Sequence, residues 1–420
     1  MNILLITLGS HGDVHPFLAL ASALKSRGAN PVLATNPYYE RQIVESGVPF
    51  AGFTEYADLK EIITQHKVMD ARRGPLAVLR KLTLPYVPEF VARTRALIRE
   101  CKPSAVVYHP IVFGVPWACE LEGGVPTVSI ALSPLLWANP NDSMILLPTS
   151  SPAPSRFAVA RDRWLSRTIL RVALDPGLNR VRRELGLPKA RDQFLAAACE
   201  ADRNLGLWSP TFRGPLEGDP RDSAIVGFAW HDRDHTQEAP DDELRAFLDA
   251  GPPPIVFALG STGVHASGRF YAHAVEAARP LKRRALLVVG RDQPPPANLP
   301  KDGSMKAVAY APFSTVFARS CVTVHHGGVG TTAQGLRAGR PTLVTPMAHD
   351  QFDNGGRVTR LGCGAMLPFT KVNAKRLVAM LEPLVADDRY AAAARRVAAS
   401  VGTEDGAARA AETLCGSGTA

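Results

Sequence analysis

The 420 residues exceed what one hydrophobic core ordinarily spans and predict two domains of roughly 200 residues each. A hydrophobic share of 46% with 21% charged residues excludes a disordered or fibrous chain. The formal charge of +9 suits anionic partners, but the arginines are dispersed and no basic stretch is interleaved with aromatics, which argues against a nucleic-acid surface and leaves anionic small ligands or transient contact with a membrane surface.

In chain order, NILLITL (2–8) is an unbroken apolar run, the pattern of a parallel strand covered on both faces. Helical spacing follows over 15–28 and closes at Gly28. A strand at 31–35, a helix at 38–47, helical stretches between 58 and 101, a strand at 104–108, a helix near 113–122 and a strand at 126–132 continue the alternation. Residues 134–156, rich in Pro, Ser and Asn, read as a long loop on the binding side. Helices are expected over roughly 158–200, then short strands at 203–208 and 224–228. The polar stretch 229–243 reads as a linker dividing a domain 1–228 from a domain 244–420. The second half repeats the scheme, with strands at 253–261, 283–290, 306–311, 321–326 and 341–346 and a helical stretch from about 373. Strands separated by helices specify an α/β fold, here two Rossmann-like doubly wound domains. Two such halves facing each other leave a cleft between the C-terminal ends of their sheets, where open α/β sheets bind ligands.

The chain opens directly on an apolar strand, without a basic n-region or a small-residue cleavage site, and no apolar run reaches the ~20 residues that span a bilayer. A cytoplasmic protein is the expectation. Cys101, Cys119, Cys199, Cys321, Cys363 and Cys415 form no CxxC pair, and no His/Asp/Glu group has metal-ligand spacing, so free thiols and no metal are expected.

The densest chemistry lies in VTVHHGGVGTTAQGLRAGRPTLVTPMAHDQFDN (322–354). A strand delivers His325 to the sheet edge, and a Gly-rich turn then opens a helix, whose unpaired N–H groups and positive dipole end suit an anion. Gly327, Gly328 and Gly330 allow close backbone approach, Thr331 and Thr332 add hydroxyls, and His325 can donate to a phosphate oxygen. No Lys follows the glycines, so this is not a Walker loop, and the same glycines would also suit a tight strand-to-helix turn. Further on, Asp350 beside Gln351 suits paired hydrogen bonds to vicinal sugar hydroxyls, although Asp350 could equally cap the helix that follows.

With the opening GSHGDVHPFLALASAL, the FALGST at 257–262, the AYAPF at 309–313 and the RLGCG at 360–364, this stretch resembles the donor-binding signature of family 1 glycosyltransferases with the GT-B fold. The set is most similar to the rhamnosyltransferase B subunit of rhamnolipid synthesis and to bacterial sterol- and polyketide-type glycosyltransferases. The match covers most of 240–370 but only the first 50 or so residues of the other half. The resemblance implies that His325 contacts a donor diphosphate with Gly327, Gly330 and Thr331, and that Asp350 and Gln351 hold the sugar. It implies that Ala311 meets the pyrimidine edge, that Tyr310 takes the place of a stacking indole, and that Gly260 and Ser261 line the phosphate side. It leaves UDP- and dTDP-sugars both open. The second histidine, His326, stands where the family varies and is read as structural or functional.

The family's base position follows from Gly12-Asp13-Val14-His15-Pro16, which resembles the Gly-Asp-Val-x-Pro members and puts Asp13 where many others have histidine. A general base must take a proton from the acceptor hydroxyl as it attacks the anomeric carbon. His11 and His15 flank Asp13 as alternative bases or partners, and a cap on a helix opening at His15-Pro16 is the plain structural alternative. His109, ending the strand 104–108, would face the cleft. His66, His231, His235, His265 and His273 read as solvated. Phe113, Trp117, Trp137 and Met144 suit a hydrophobic acceptor such as a phenol, polyketide, sterol or hydroxy-acyl lipid, with core packing as the competing reading. The resemblance implies inverting transfer without a cofactor or metal, and a last helix that packs back on the first domain. Two other readings remain: a non-catalytic auxiliary partner, which usually loses its donor motifs, and a GT-B nucleotide-sugar epimerase.

Overall fold

A computed structural model of the chain describes residues 1–55, 61, 68–149, 151–231 and 242–416. Seven short apolar segments pair in one parallel sheet: β1 Asn2–Ile6, β2 Asn30–Thr35, β3 Phe50–Gly52, β4 Ala105–Tyr108, β5 Thr127–Ala131, β6 Arg203–Gly206 and β7 Ser223–Ile225. Their order is β3-β2-β1-β4-β5-β6-β7, doubly wound with the reversal at β1/β4. A second parallel sheet holds β8 Ile255–Ala258, β9 Ala285–Val288, β10 Met305–Val308, β11 Val322–His325, β12 Thr342–Val344 and β13 Gly364–Met366, in the order β10-β9-β8-β11-β12-β13. Each sheet is covered on both faces. Leu5 and Leu4 in β1 feed two different clusters, as do Phe257 and Val256 in β8, which is why these strands read as unbroken apolar runs.

The first helix spans His11–Ser26 and so begins four residues before the sequence pattern suggested. Ser10 is its N-cap, and Asp13 closes a capping box from the third helical position. Asp13 is therefore not the cap of a helix opening at His15. Of the stretch 229–243, residues 232–241 lie outside the described residues.

The last helix, Gly406–Cys415, leaves the second sheet's layer and packs on the first helix. Ala410, Ala411 and Leu414 are buried with Phe17, Leu20 and Leu24, and Arg203 donates to the Thr413 carbonyl at 3.0 Å. Burying Leu414 contributes about 2 kcal/mol to that docking. The two passages between lobes run side by side. Gly406 N–H donates to the Phe228 carbonyl at 2.9 Å, and a Cβ on Gly406 would lie 2.1 Å from the Gly227 carbonyl oxygen.

The lobes also share a core and a buried ion cluster. Trp137, Trp208 and Phe228 of the first lobe pack with Leu336, Val344 and Val358 of the second. Arg357 bridges Asp353 at 2.7 Å and Asp142 at 2.8 Å, and Asp142 also meets Arg213 at 3.2 Å. The Ile145 N–H donates to Asp353 at 2.9 Å, so the loop after β5 is bolted to the helix Gln351–Arg360. Removing one member would strand a buried charge, at a cost of about 3–5 kcal/mol.

Candidate active site

The segments that follow β1 to β12 all contribute to one cleft of about 2120 Å³ between the lobes. Such convergence is dictated by parallel strands, whose C-terminal ends share an edge.

On the first lobe, Asp13 lines the cleft one turn into the first helix. Its Oδ2 accepts from the Ser10 N–H at 2.7 Å and from the Ser10 hydroxyl at 3.0 Å. The close turn requires glycine at position 9, where φ is +129° and a Cβ would fall 2.3 Å from that oxygen. His11 packs edge-on to Tyr39, with ring centroids 5.1 Å apart, and the Tyr39 hydroxyl donates to the Gly9 carbonyl. His15 sits 2.9 Å from the Gln42 amide and 4.8 Å, ring to ring, from His231. His109 closes the floor at the end of β4. Burial pushes its pKa down, and Asp13 opposes that shift.

Of the five histidines read as solvated, three lie among the described residues. His231 and His265 line the cleft rather than standing in solvent. His273 pairs with Glu276 at 3.2 Å, while His66 and His235 lie outside the described residues.

On the second lobe the two adjacent histidines take opposite roles. His325 ends β11 pointing inward. Its Nδ1 accepts from the Gly327 N–H at 3.1 Å, its ring stacks near Phe317, and its Nε2 lies 3.2 Å from where a Cβ on Gly335 would be. It does not line the cleft. The expected donor contact is His325, but of the two it is His326 that lines the cleft. Alternation along a strand explains the switch, since neighbouring side chains point to opposite faces. The His326 ring fits between two backbones. A Cβ on Gly260 would be 2.5 Å from its Cε1, and one on Gly328 would be 2.5 Å from its Nε2. Burial holds His326 down at about 4 and His325 at about 3, so both are neutral near pH 7.

Gly328 caps the helix Val329–Ala338 without a side-chain partner, so the first N–H groups of that helix face the cleft beside His326, Gly330 and Thr331. Gly327 faces away, where a Cβ would meet Val344 at 2.6 Å. It is a packing glycine rather than a ligand contact. Gly260, Ser261, Tyr310 and Ala311 line the same side, and the Arg291 guanidinium lies 5.9 Å from the Tyr310 ring.

Asp350 and Gln351 reach the cleft at the start of the helix Gln351–Arg360. Asp350 occupies the cap position but makes no capping bond. It accepts instead from Asn354 at 2.8 Å. Burial, with repulsion from Asp13 added, pushes its carboxyl up to about 6, and the Asn354 bond partly offsets this. The Gln351 carbonyl accepts from the Met347 and Ala348 N–H groups at 2.8 and 3.1 Å, which leaves its NH₂ as the group to offer a ligand. His349, at φ +57°, lines the cleft beside them, its pKa lowered by burial.

The acceptor-side expectations divide. His109 and Trp137 line the cleft. Phe113 and Trp117 instead belong to a core cluster with Leu174 and Leu178, and Met144 is buried in the loop that holds Asp142, outside the cleft lining. The apolar wall is built elsewhere, from Met69, Leu76 and Leu79 and from Ile169 and Leu170 of the helix Arg156–Glu184. Sequence reasoning saw helices in these places but assigned them no role. The available signal was their apolar content beside arginines in a helix too polar to be core. Among the described residues, no three His, Cys, Asp or Glu side chains are grouped to hold a metal.

Comparison with known proteins agrees with this geometry. Residues 3–107 match the glycosyltransferase family 28 N-terminal domain, and residues 286–414 match the erythromycin biosynthesis protein CIII-like C-terminal domain. The chain is 30% identical to an O-mycaminosyltylonolide 6-deoxyallosyltransferase of Streptomyces fradiae, over 97% of this chain and 95% of that one. It is 30% identical to the vancomycin aglycone glucosyltransferase of Amycolatopsis orientalis, over 99% and 97%. In fold it is similar to the glycotransferase of kitacinnamycin, with TM-score 0.76, 19% identity and 98% of each chain covered. It is also similar to a spinosyn rhamnosyltransferase complexed with thymidine diphosphate, with TM-score 0.65, 18% identity and 99% and 100% covered. The chain belongs to the family 1 GT-B glycosyltransferases, enzymes that move a sugar from a nucleotide donor to a small-molecule acceptor.

Proposed function

We propose that this enzyme transfers a hexosyl group from a UDP- or dTDP-hexose to a hydroxyl of an apolar small molecule, with inversion at the anomeric carbon. The observation that supports it most is that Asp13 and the helix start at Gly328–Thr331 line one cleft, whose wall also carries the apolar Met69, Leu76, Leu79, Ile169 and Leu170. The first N–H groups of the helix Val329–Ala338 and the neutral His326 ring bind the diphosphate. Asp350 accepts from sugar hydroxyls and Gln351 donates to them. Tyr310 and Ala311 meet the base.

The acceptor oxygen attacks C1 from the first lobe as the bond from C1 to the diphosphate oxygen breaks. Asp13 takes the hydroxyl proton. Both hydrogen bonds it accepts fall on Oδ2, so Oδ1 is the oxygen that meets the acceptor. The same helix start stabilises the leaving diphosphate as its charge grows, and we assign no cofactor or metal to the step. His11, His15 and His231 order the mouth around Asp13.

The test crosses UDP-glucose, dTDP-rhamnose and related donors with phenolic, polyketide, sterol and hydroxy-acyl acceptors, reading products by mass spectrometry and anomeric configuration by NMR. A product with retained configuration overturns the one-step displacement. Release of an epimerised nucleotide sugar without acceptor overturns transfer itself.

A further inference from the structure

The helix Arg156–Glu184 holds eight arginines against three carboxylates, a net charge of +5 within the chain's +9. Its outward stripe is nonetheless apolar: Phe157 is 90% exposed, Trp164 68% and Val172 68%. At 100° per residue these three fall within an arc of about 80°, with Arg161 among them and Arg171 at the border. Arg161 pairs with Asp162 and Arg167 with Asp192, and both arginines stay more than half exposed. Beside the stripe runs a groove lined by Leu76, Arg80, Ile169 and Val172. Leu76 and Ile169 also line the cleft, so apolar surface continues from the outer face into the acceptor wall.

We propose that this face docks on an anionic lipid surface, with Phe157, Trp164 and Val172 entering the headgroup boundary and Arg161 and Arg171 meeting lipid phosphates. Exposed aromatics flanked by arginines are what an interfacial helix needs: apolar area for insertion and charge for attraction. A second copy of the chain is the poorer occupant, because it would set two faces of like charge against each other. Among the described residues no helix is long and apolar enough to cross a membrane, so the contact is peripheral. The inference concerns binding alone and does not depend on the transfer reaction.

The experiment is flotation of the full chain with phosphatidylcholine vesicles, with and without phosphatidylglycerol, together with tryptophan emission. Trp164 is the most exposed indole, since Trp117, Trp137 and Trp208 are buried and Trp230 is half-buried under the Arg337 guanidinium. The expected result is flotation with the anionic vesicles only, weakened by salt, with a blue shift in emission. The double variant Phe157→Ser/Trp164→Ser should bind roughly tenfold more weakly, lose the shift, and keep its turnover on a soluble acceptor, because neither residue lines the cleft. Arg161→Gln/Arg171→Gln should lose the salt dependence. Failure to float with anionic vesicles overturns the proposal, as does equal flotation of the double variant. A dimer in light scattering that this variant abolishes would assign the face to a second copy instead.

Discussion

The two sides of the cleft are built on different principles. The second lobe lines the cleft with backbone and with small residues at fixed spacing. His326 is seated between Gly260 and Gly328, and the helix Val329–Ala338 has no side-chain cap at its N-cap Gly328. The first lobe lines it with side chains from segments far apart in sequence, from Met69 and Leu76 to Ile169 and Leu170. A backbone cradle fixes residue types and intervals. An apolar wall fixes only volume, which many sequences satisfy. One side is thus suited to a common nucleotide and the other to divergent acceptors.

The largest expected effect tests the chemistry between the two sides. Asp13→Asn keeps an acceptor for the Ser10 N–H yet removes the basic carboxylate. Its kcat should fall by about 10²–10⁴ while nucleotide affinity by calorimetry stays unchanged. A variant that turns over normally would move the base to His11 or His15.

Next comes the split between the two histidines. His326→Ala should weaken nucleoside-diphosphate binding by roughly 10- to 100-fold through loss of a hydrogen bond to a charged group. His325→Ala should leave that affinity nearly untouched and cost about 2 kcal/mol or more of stability, as a buried side chain is removed. The reverse ranking in calorimetry and denaturant melts would return the donor contact to His325.

On the apolar side, Leu76→Ser should raise acceptor KM about tenfold without changing donor affinity, the separation expected if the walls act independently.

The smallest effect is one of pH. The folded-state pKa of Asp350 is raised to about 6, so its contribution to stability is fully present below the unfolded value near 3.8 and is lost as pH rises through 6. Under the proposed role, in which the sugar hydroxyls meet the ionised carboxylate, donor binding has the opposite sign. Affinity should decline as pH falls below about 6, and Asp350→Asn should flatten that profile.

The sequence disclosed these two sides unequally for the same physical reason. The strand–helix alternation and the glycine intervals are local, and the parallel sheets and the Asp350-Gln351 position follow from them. The choice between His325 and His326 hangs on a single step of strand phase, which the apolar run of β11 does not mark because both its faces are buried. Phe113 and Met144 looked like cleft residues because size and apolarity are shared by core and pocket. His231 looked solvated because its neighbours in sequence are charged, whereas its neighbour in space is His15. Only tertiary contacts separate those cases.

The paired glycines at 227 and 406 have a mechanical corollary. Two passes of the chain touch at one spot, so the route out of the first lobe and the route back onto it are fixed against each other. A methyl group at position 406 would meet the carbonyl of residue 227 and prise the two passes apart, loosening the seat of the final helix on the first lobe.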